Sequence, residues 1–382
     1  MILCLLLGIT LSGCIEEFEA DIPAEESNLL VVEGAICSGS NKFILSHTQA
    51  IKSYYSTLIL GGASVSVRGS DGSEYPTQAA DGYYTCWIEE LNPNVEYYLH
   101  IEADGEVYES EPQKPLRTEK IAEIRGVQNT PDSNLDVLVT PDAPFEPDKI
   151  NYYSWTYDET WEVHPDYTTN MYFDTEAKIP RINTSQFPVR GWKNGISSTI
   201  MVGTSTNYEG QHIQQFKLYD IDQSDERIYY RYSGLVHQRA ISKAEYEYEV
   251  ARRQASSEMG GLFTPQPSSL PTNIHCLTSS KRVIGYVGCA LNTGEYRFFF
   301  NAEDFSVKYP ELKDKRIWLK QCTEEDCCKM VENGYYLCVW EDYRPTGSLQ
   351  TAWALGYQLD VRLKGAYTEE PEFWSLKENV SY

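Results

Sequence analysis

The sequence predicts a mainly β protein, and three of its features support this fold class. Tyrosine and tryptophan are frequent, at 29 and 8 of 382 residues, and large aromatic side chains favour strands. Residues 95–103 alternate between apolar and polar side chains, which is the period of a strand with one buried face. Asp-Gly pairs at 71–72 and 104–105 predict tight hairpin turns. We expect an N-terminal immunoglobulin-like β-sandwich, followed by a larger β-rich domain with one well-marked helix.

The sandwich is predicted over residues 15–118, where short apolar segments recur at the spacing typical of immunoglobulin-like domains. The predicted strands are 29–34, 43–48, 63–68, 73–75, 83–88, 95–103 and 106–110. Pro112 and Pro115 end this unit, because proline has no N–H group to donate to a ladder.

The larger domain is predicted over residues 119–382, with a cysteine-rich C-terminal part. Its predicted strands are 135–139, 152–157, 199–202, 212–219, 228–236, 283–289, 297–300 and 335–340. Residues 165–195 are polar and irregular and predict a long excursion. The helix is predicted near 242–259, because Ser242 and Glu245 form a capping-box pattern and glycines follow at 260–261.

The first residues indicate export and lipidation. Residues 1–13 are uncharged and apolar, too short to span a bilayer but typical of the core of a secretory signal. Leu11-Ser12-Gly13-Cys14 has the form of a bacterial lipobox, so residues 1–14 are interpreted as a lipoprotein signal peptide ending in an acylated Cys14. Several acyl chains, palmitate among them, would anchor the protein firmly to a membrane. The alternative interpretation is an N-terminal strand with a buried cysteine.

Ten cysteines are present, and eight remain after Cys4 leaves with the signal and Cys14 is lipidated. An even number in an exported protein favours disulfides. The candidates are Cys37, Cys86, Cys276, Cys289, Cys322, Cys327, Cys328 and Cys338. Cys37 with Cys86 is the natural guess within the N-terminal domain. A zinc site at the C-terminal group is the alternative, but this group contains no histidine and its spacing fits no standard zinc pattern.

Charge and motifs exclude several classes of function. The net charge is −24, from 32 basic and 56 acidic residues, and such a surface repels nucleic acid. No zinc-protease, nucleophile-elbow or phosphate-loop motif occurs in the sequence. We therefore predict no catalytic residue, no metal and no cofactor. The acidic loop 220–226 resembles a set of calcium ligands but lacks the spacing of an EF-hand, and a solvated turn is the favoured interpretation.

Aromatic side chains between residues 152 and 195 are the candidate partner surface. Flat rings stack on sugars and on protein surfaces at low entropic cost. The residues are Trp155, Trp161, Tyr167, Tyr172 and Trp192. The alternative is that these rings pack the sheets. We expect 152–195, together with the turn at 260–268, to form the contact face for a partner protein.

Several motifs together resemble one family. They are Leu30-Val31-Val32-Glu33-Gly34, Met201-Val202-Gly203-Thr204, Gly260-Gly261-Leu262-Phe263-Thr264-Pro265-Gln266-Pro267-Ser268, Asn273-Ile274, Val283-Ile284-Gly285-Tyr286 and Pro371-Glu372-Phe373-Trp374. In these motifs the chain resembles the Bacteroidetes outer-membrane lipoproteins of the domain of unknown function 4249, over nearly its whole length.

The resemblance implies a function but no catalytic residues. The acidic cluster Glu16, Glu17 and Glu19 resembles the signal that sends lipoproteins of these bacteria to the cell surface. The family has no catalytic residues to carry over, and its members are often associated with TonB-dependent transporters of the starch-utilisation type. The expected function is that of a surface-exposed, non-enzymatic lipoprotein accessory to such a transporter, with a glycan or a peptide as its candidate ligand. The alternatives are a structural or adhesive envelope protein, and a surface enzyme acting on glycan or peptide.

Overall fold

The computed structural model describes residues 28–48, 60–144, 146, 149–197, 200–257, 270–311, 313–343, 348–376 and 378–382. Within these ranges the chain forms 26 strands and three α-helices. The prediction of a mainly β fold is therefore confirmed. The signal peptide, Cys14 and the turn at 260–268 lie outside the described residues.

The strands are numbered in chain order. The first nine are β1 (Leu30–Glu33), β2 (Ala35–Cys37), β3 (Gly39–His47), β4 (Ser64–Gly69), β5 (Glu74–Pro76), β6 (Gln78–Ala80), β7 (Tyr83–Ile88), β8 (Tyr97–Ala103) and β9 (Glu106–Ser110). The middle of the chain contributes β10 (Ile121–Val127), β11 (Leu135–Pro141), β12 (Tyr152–Val163), β13 (Met171–Asp174), β14 (Ile179–Ile182), β15 (Gly191–Ile196), β16 (Met201–Thr204), β17 (Phe216–Ile221) and β18 (Arg231–Ala240). The remainder are β19 (Ile274–Cys276), β20 (Val283–Gly285), β21 (Gly288–Ala290), β22 (Gly294–Asn301), β23 (Ile317–Lys320), β24 (Tyr335–Tyr343), β25 (Ser348–Leu355) and β26 (Val380–Ser381). The helices are α1 (Lys243–Ser257), α2 (Glu324–Glu332) and α3 (Gly356–Leu359).

The N-terminal sandwich has two five-stranded sheets, with the orders β20-β1-β3-β7-β6 and β19-β9-β8-β4-β5. Both predicted hairpin turns are present, since β4 pairs with β5 and β8 pairs with β9. Alternate residues of the strands point inward, and Val67, Leu99 and Ile101 are fully buried in the shared core. The period-two pattern that predicted these strands is thus the pattern of side chains that face the core.

The N-terminal sandwich is not a continuous segment, which differs from the predicted boundary at residue 118. Strands β19, β20 and β21 come from 274–290 and pair with β9, β1 and β2. Ile274, Val283 and Val287 belong to the same buried core as the first nine strands. At Gly285 the backbone has φ +136°, and a side chain there would overlap the backbone of Val32. The sandwich therefore forms from two parts of the chain that are far apart in sequence.

The central sandwich covers most of the larger domain. A three-stranded sheet, β10-β11-β17, packs against a six-stranded sheet whose main order is β15-β12-β18-β22-β26, with β16 beside β12. Val137 and Val139 from the smaller sheet share one core with Trp155, Tyr232 and Phe298 from the larger sheet.

The predicted excursion at 165–195 is largely ordered structure. Strands β13 and β14 form a hairpin, and β15 is the edge strand of the large central sheet. Phe173 on β13 packs with Leu337 and Trp353, which belong to the C-terminal sheet β23-β25-β24. The excursion is therefore held by residues near the C-terminus, which the local polar composition did not indicate.

Helix α1 begins at Lys243, close to the predicted start. The Ser242 hydroxyl accepts a hydrogen bond from the Glu245 backbone N–H at 3.1 Å, as a capping residue does. The Glu245 carboxylate bonds to Arg239 instead of closing the capping box. The predicted last residues of the helix, 258–259, lie outside the described part of the chain. No helix among the described residues has the length and apolar character needed to cross a membrane.

An interdomain cleft as the candidate functional site

A cavity of about 450 Å³ lies between the N-terminal sandwich and the central sandwich, and we call it the cleft. The junction of β1 and β2 lines it from one side, and β12 and β18 line it from the central sheet. Helix α1 contributes four residues to the lining, of which Glu245, Glu249 and Arg252 are charged. Its volume is in the range of about 300–1,000 Å³ that small-molecule sites occupy.

The cleft contains a buried ion pair between Arg239 on β18 and Glu245 on α1. The two side chains are 15% and 5% exposed, and both guanidinium amino groups donate to the carboxylate, Nη1 to Oε2 at 3.1 Å. Burial disfavours the charge on Arg239, but the Glu245 carboxylate outweighs it, and the pKa of Arg239 is raised above its ordinary value. The Arg239 guanidinium therefore remains charged, and its two hydrogen bonds hold the Glu245 carboxylate in a fixed bidentate geometry.

Gly288 on β21 leaves room for this ion pair. A Cβ atom at this position would overlap the carboxylate of Glu245 and the guanidinium of Arg239. The ion pair thus joins the central sheet to α1 directly beside a strand of the N-terminal sandwich. A side chain at residue 288 would therefore displace the carboxylate or the guanidinium from its place in the ion pair.

A second charged group lies one turn further along α1. Arg252 donates to Glu249 from Nη2 at 2.8 Å, and its Nη1 lies 3.8 Å from the carboxylate of Glu33 on β1. Burial raises the pKa of Glu249, although Arg252 acts in the opposite direction. Because Glu33 belongs to the N-terminal sandwich, this group also bridges the two sides of the cleft.

Polar side chains without charge complete the lining. Tyr248 on α1 is 4% exposed, and burial, together with the nearby Glu249 carboxylate, raises its pKa to about 12. Its phenol therefore stays protonated at neutral pH and able to donate. Ser154 and Thr156 add hydroxyl groups from β12. Such a lining can hydrogen-bond a polar ligand from several directions.

His237 also lines the cleft, and both of its ring nitrogens face carboxylates. Nε2 lies 3.1 Å from Asp158, and Nδ1 lies 3.1 Å from Glu295. Neither nitrogen is directed to a hydroxyl or thiol in these contacts, so His237 is not placed as a general base for a nucleophile of the cleft.

The structure divides the five predicted partner-surface aromatics. Trp155 and Trp192 are buried in the interior, at 0% and 2% exposure, so for these two the prediction of a contact face is wrong. Trp155 stacks on Phe216 at 4.7 Å and donates to Gln238, which are the contacts of a core residue. Trp161 and Tyr172 are half-buried on two different strands, β12 and β13. The alternative of sheet packing applies to most of the cluster.

Tyr167 is the exception, because it belongs to a group of side chains at the surface. The Arg316 guanidinium lies over two rings, 4.9 Å from the centroid of Tyr167 and 5.1 Å from that of Trp318. Asp314 accepts from Arg316 and from the indole of Trp318. Trp318 is 41% exposed. We call Tyr167, Arg316 and Trp318 the aromatic surface group.

The eight predicted disulfide cysteines are all unbonded in the structure. Cys37 lines the cleft near Arg239 and Glu245, whereas Cys86 packs on the sandwich core. The structure thus places the two members of the guessed pair in different environments. The sulfurs of Cys322 and Cys327 are in contact at 2.9 Å.

The candidate metal sites are used by other interactions. Asp222 in the acidic loop accepts hydrogen bonds from Ser224, and Asp225 caps a short helical turn and binds Arg227. Among the described residues there is no group of three potential metal-binding side chains. The loop is a turn held by its own side chains.

No motif in the sequence indicates the cleft. Arg239 and Glu245 are close in sequence, but Arg239 lies at the end of a strand and Glu245 at the start of a helix. This spacing matches no known motif. The single local signal was the capping pattern at Ser242, which placed Glu245 in the first turn of a helix.

The sequence profile described as Domain of unknown function (DUF4249) matches residues 15–295. The chain belongs to this family. The matched range contains the N-terminal sandwich with its distant strands β19–β21, helix α1 and the whole lining of the cleft. It ends before the C-terminal sheet, so the earlier resemblance at 371–374 lies outside it.

No curated protein matches the chain. Among solved structures, the native conformation of E. coli alpha-2-macroglobulin is 8% identical, with a TM-score of 0.17. That comparison covers 58% of this chain and 14% of the macroglobulin, and it carries no argument about fold or function.

Proposed function

We propose that this protein is a lipid-anchored, non-enzymatic lipoprotein of the bacterial outer membrane, exposed at the cell surface, that binds a small polar solute for a TonB-dependent nutrient transporter. The observation that carries the binding role is the cleft, with its volume of about 450 Å³ and its buried charged walls. The lipobox at Leu11–Cys14 and the acidic residues that follow it support the proposed location in the outer membrane. The DUF4249 family membership agrees with the proposal without specifying a ligand.

Binding is favoured over catalysis because the charged groups of the cleft are satisfied by each other. Glu245 is held by Arg239 through both oxygens, and Glu249 is held by Arg252. A general acid or base needs an oxygen that is free to exchange a proton with the substrate, whereas both oxygens of Glu245 and the Oε2 of Glu249 already accept hydrogen bonds from arginines. These pairs suit recognition, for which fixed geometry is the main requirement.

The paired charges also restrict the ligand. The arginines and glutamates of the cleft offer N–H donors and oxygen acceptors while their charges largely cancel. A ligand with a net charge would disturb one of the buried pairs, and this would be costly. We therefore propose a ligand without net charge, a neutral glycan or a short zwitterionic peptide.

The proposed docking contact with the transporter is the aromatic surface group. Tyrosine, tryptophan and arginine are enriched at protein interfaces, where they contribute much of the binding energy. This group takes the place of the buried Trp155 and Trp192 in the proposed contact face. None of its three residues lines the cleft.

The experiment is a pull-down of the tagged lipoprotein from outer membranes of its host. We expect a TonB-dependent transporter to co-purify, and Trp318→Ala to reduce its yield at least several-fold. The matched control is Trp87→Ala, because Trp87 is 70% exposed on the N-terminal sandwich. Equal loss in both variants would show a general surface effect, and full recovery with Trp318→Ala would exclude the aromatic surface group as the contact.

The binding role is tested separately by filling the cleft. Thr156→Trp adds a large side chain to its lining, and Thr130→Trp in an exposed turn is the control. We expect neutral oligosaccharides or short peptides to raise the melting temperature of the wild type and of the control but not that of Thr156→Trp. The absence of any shift with both ligand classes in the wild type would contradict the proposed ligand.

A further inference from the structure

Two cysteines occupy the two positions that flank the start of helix α2. Thr323 is the capping residue, and its hydroxyl and the Asp326 carboxylate close a capping box. Cys322 precedes the cap, and Cys327 follows Asp326 in the first turn. In many helices an apolar pair at these two positions packs together and fixes the angle at which the chain enters the helix.

The two thiols lie in an apolar cluster. Cys322 is 8% exposed and Cys327 is fully buried, and both pack with Phe173, Leu337 and Trp353. Their sulfurs are 2.9 Å apart. Burial, with Cys322 adding to it, raises the pKa of Cys327. Such buried thiols are poor nucleophiles for substrates, so the pair has the environment of a structural element.

We propose that Cys322 and Cys327 form a disulfide in the mature protein, so that the apolar contact at the start of α2 becomes a covalent bond. In this step each thiol loses its proton, an S–S bond forms, and two electrons pass to an oxidant. The oxidant is a disulfide, either of a protein or of a small molecule, which is reduced to two thiols. The proposal rests on the proposed function at one point only, because export to an oxidising compartment would supply this oxidant in the cell.

The neighbouring cysteines do not fit the same role. Cys328 directly follows Cys327, and one residue along a helix turns the side chain by about 100° away from the position of its predecessor. Cys338 packs in a different cluster, with Ala354 and Leu359. The geometry therefore selects Cys327 over Cys328 as the partner of Cys322.

The experiment is peptide mass spectrometry of the purified full-length protein after it has been unfolded under reducing conditions and refolded in a mixture of reduced and oxidised glutathione, because the buried thiols are accessible to the oxidant before the chain folds. Under denaturing conditions free thiols are blocked with N-ethylmaleimide, and trypsin then releases residues 321–329, which contain Cys322, Cys327 and Cys328. We expect this peptide to carry one internal disulfide and one maleimide on Cys328. The variant Cys328→Ser should keep the internal disulfide, and Cys327→Ser should lose it.

The result that would overturn the proposal is a peptide with three maleimides after this oxidation, or a disulfide that joins Cys328 to Cys322 or to Cys327. A bond between Cys322 or Cys327 and another peptide would overturn it equally. Because the oxidation is carried out in vitro, these outcomes are independent of where the cell places the protein. The protein recovered from the cell could have both thiols reduced and still form the disulfide in vitro. This result would contradict the proposed export and leave the pairing supported.

Discussion

The buried ion pair of the cleft gives the sharpest stability prediction. Glu245→Gln preserves the size of the side chain but leaves the Arg239 charge without its counter-charge. The two side chains are 5% and 15% exposed, so water cannot replace the lost interaction. Removing one partner of a buried pair destabilises a protein by about 3–5 kcal/mol. We expect a value of about 3 kcal/mol, because the glutamine oxygen still accepts one hydrogen bond from Arg239.

The assay is urea unfolding, followed by far-ultraviolet circular dichroism and by tryptophan fluorescence. The matched control is Glu247→Gln on the same helix, where Glu247 and Lys243 are 59% and 70% exposed and 3.5 Å apart. An exposed pair of this kind contributes about 0.5 kcal/mol or less. Arg239→Met combined with Glu245→Met should recover most of the lost stability, because no unpaired charge remains. The reasoning is refuted if Glu245→Gln and Glu247→Gln have equal effects.

Three further outcomes are expected. Cys14→Ala should leave an unprocessed precursor without labelled palmitate, and label in the variant equal to that of the wild type would contradict the lipobox. At neutral pH, iodoacetamide should label Cys276 well before Cys289 in a peptide time course, with simultaneous labelling as the contrary result. The reason is that burial raises the pKa of Cys289 to about 12, whereas for Cys276 hydrogen bonds from neighbouring hydroxyls outweigh burial and lower the pKa. The third outcome concerns Glu249, because burial raises its pKa in the folded protein above the ordinary 4.5. The wild type should therefore lose stability relative to Glu249→Gln as the pH rises from 4.5 through the folded pKa. Urea midpoints of the two proteins that change in parallel over this range would contradict the prediction.

The local patterns of the sequence predicted much of the N-terminal sandwich. The alternation at 95–103 became strand β8, with Leu99 and Ile101 fully buried, because period two reports which side chains face a core. The two Asp-Gly turns and the start of α1 were predictable for the same reason, since each depends on adjacent residues alone. These features require no knowledge of the rest of the chain.

The features that were not predictable depend on contacts between distant segments. Trp155 lies between two polar residues and Trp318 between two apolar residues, yet Trp155 is fully buried and Trp318 is 41% exposed. The regular structure of the excursion at 165–195 depends on the packing of Phe173 with Trp353, which lies far along the chain. The cleft requires β18 and α1 to meet two strands of the N-terminal sandwich. None of these contacts leaves a periodic signal in the sequence.

The discontinuity of the N-terminal sandwich has a direct consequence for its independent folding. A fragment of residues 28–118 lacks β19–β21 and with them Ile274, Val283 and Val287, which are 2%, 5% and 2% exposed in the shared core. Each such side chain contributes about 1.5–3 kcal/mol by burial, so the loss approaches the total stability of about 5–15 kcal/mol that a domain has. The fragment also exposes the backbone edges of β1 and β9, which favours aggregation. We expect residues 28–118 alone to give the circular dichroism of an unfolded chain, and addition of a peptide of residues 270–292 to restore β structure. A fragment that folds cooperatively without this peptide would show that the distant strands complete the N-terminal sandwich without being required for it.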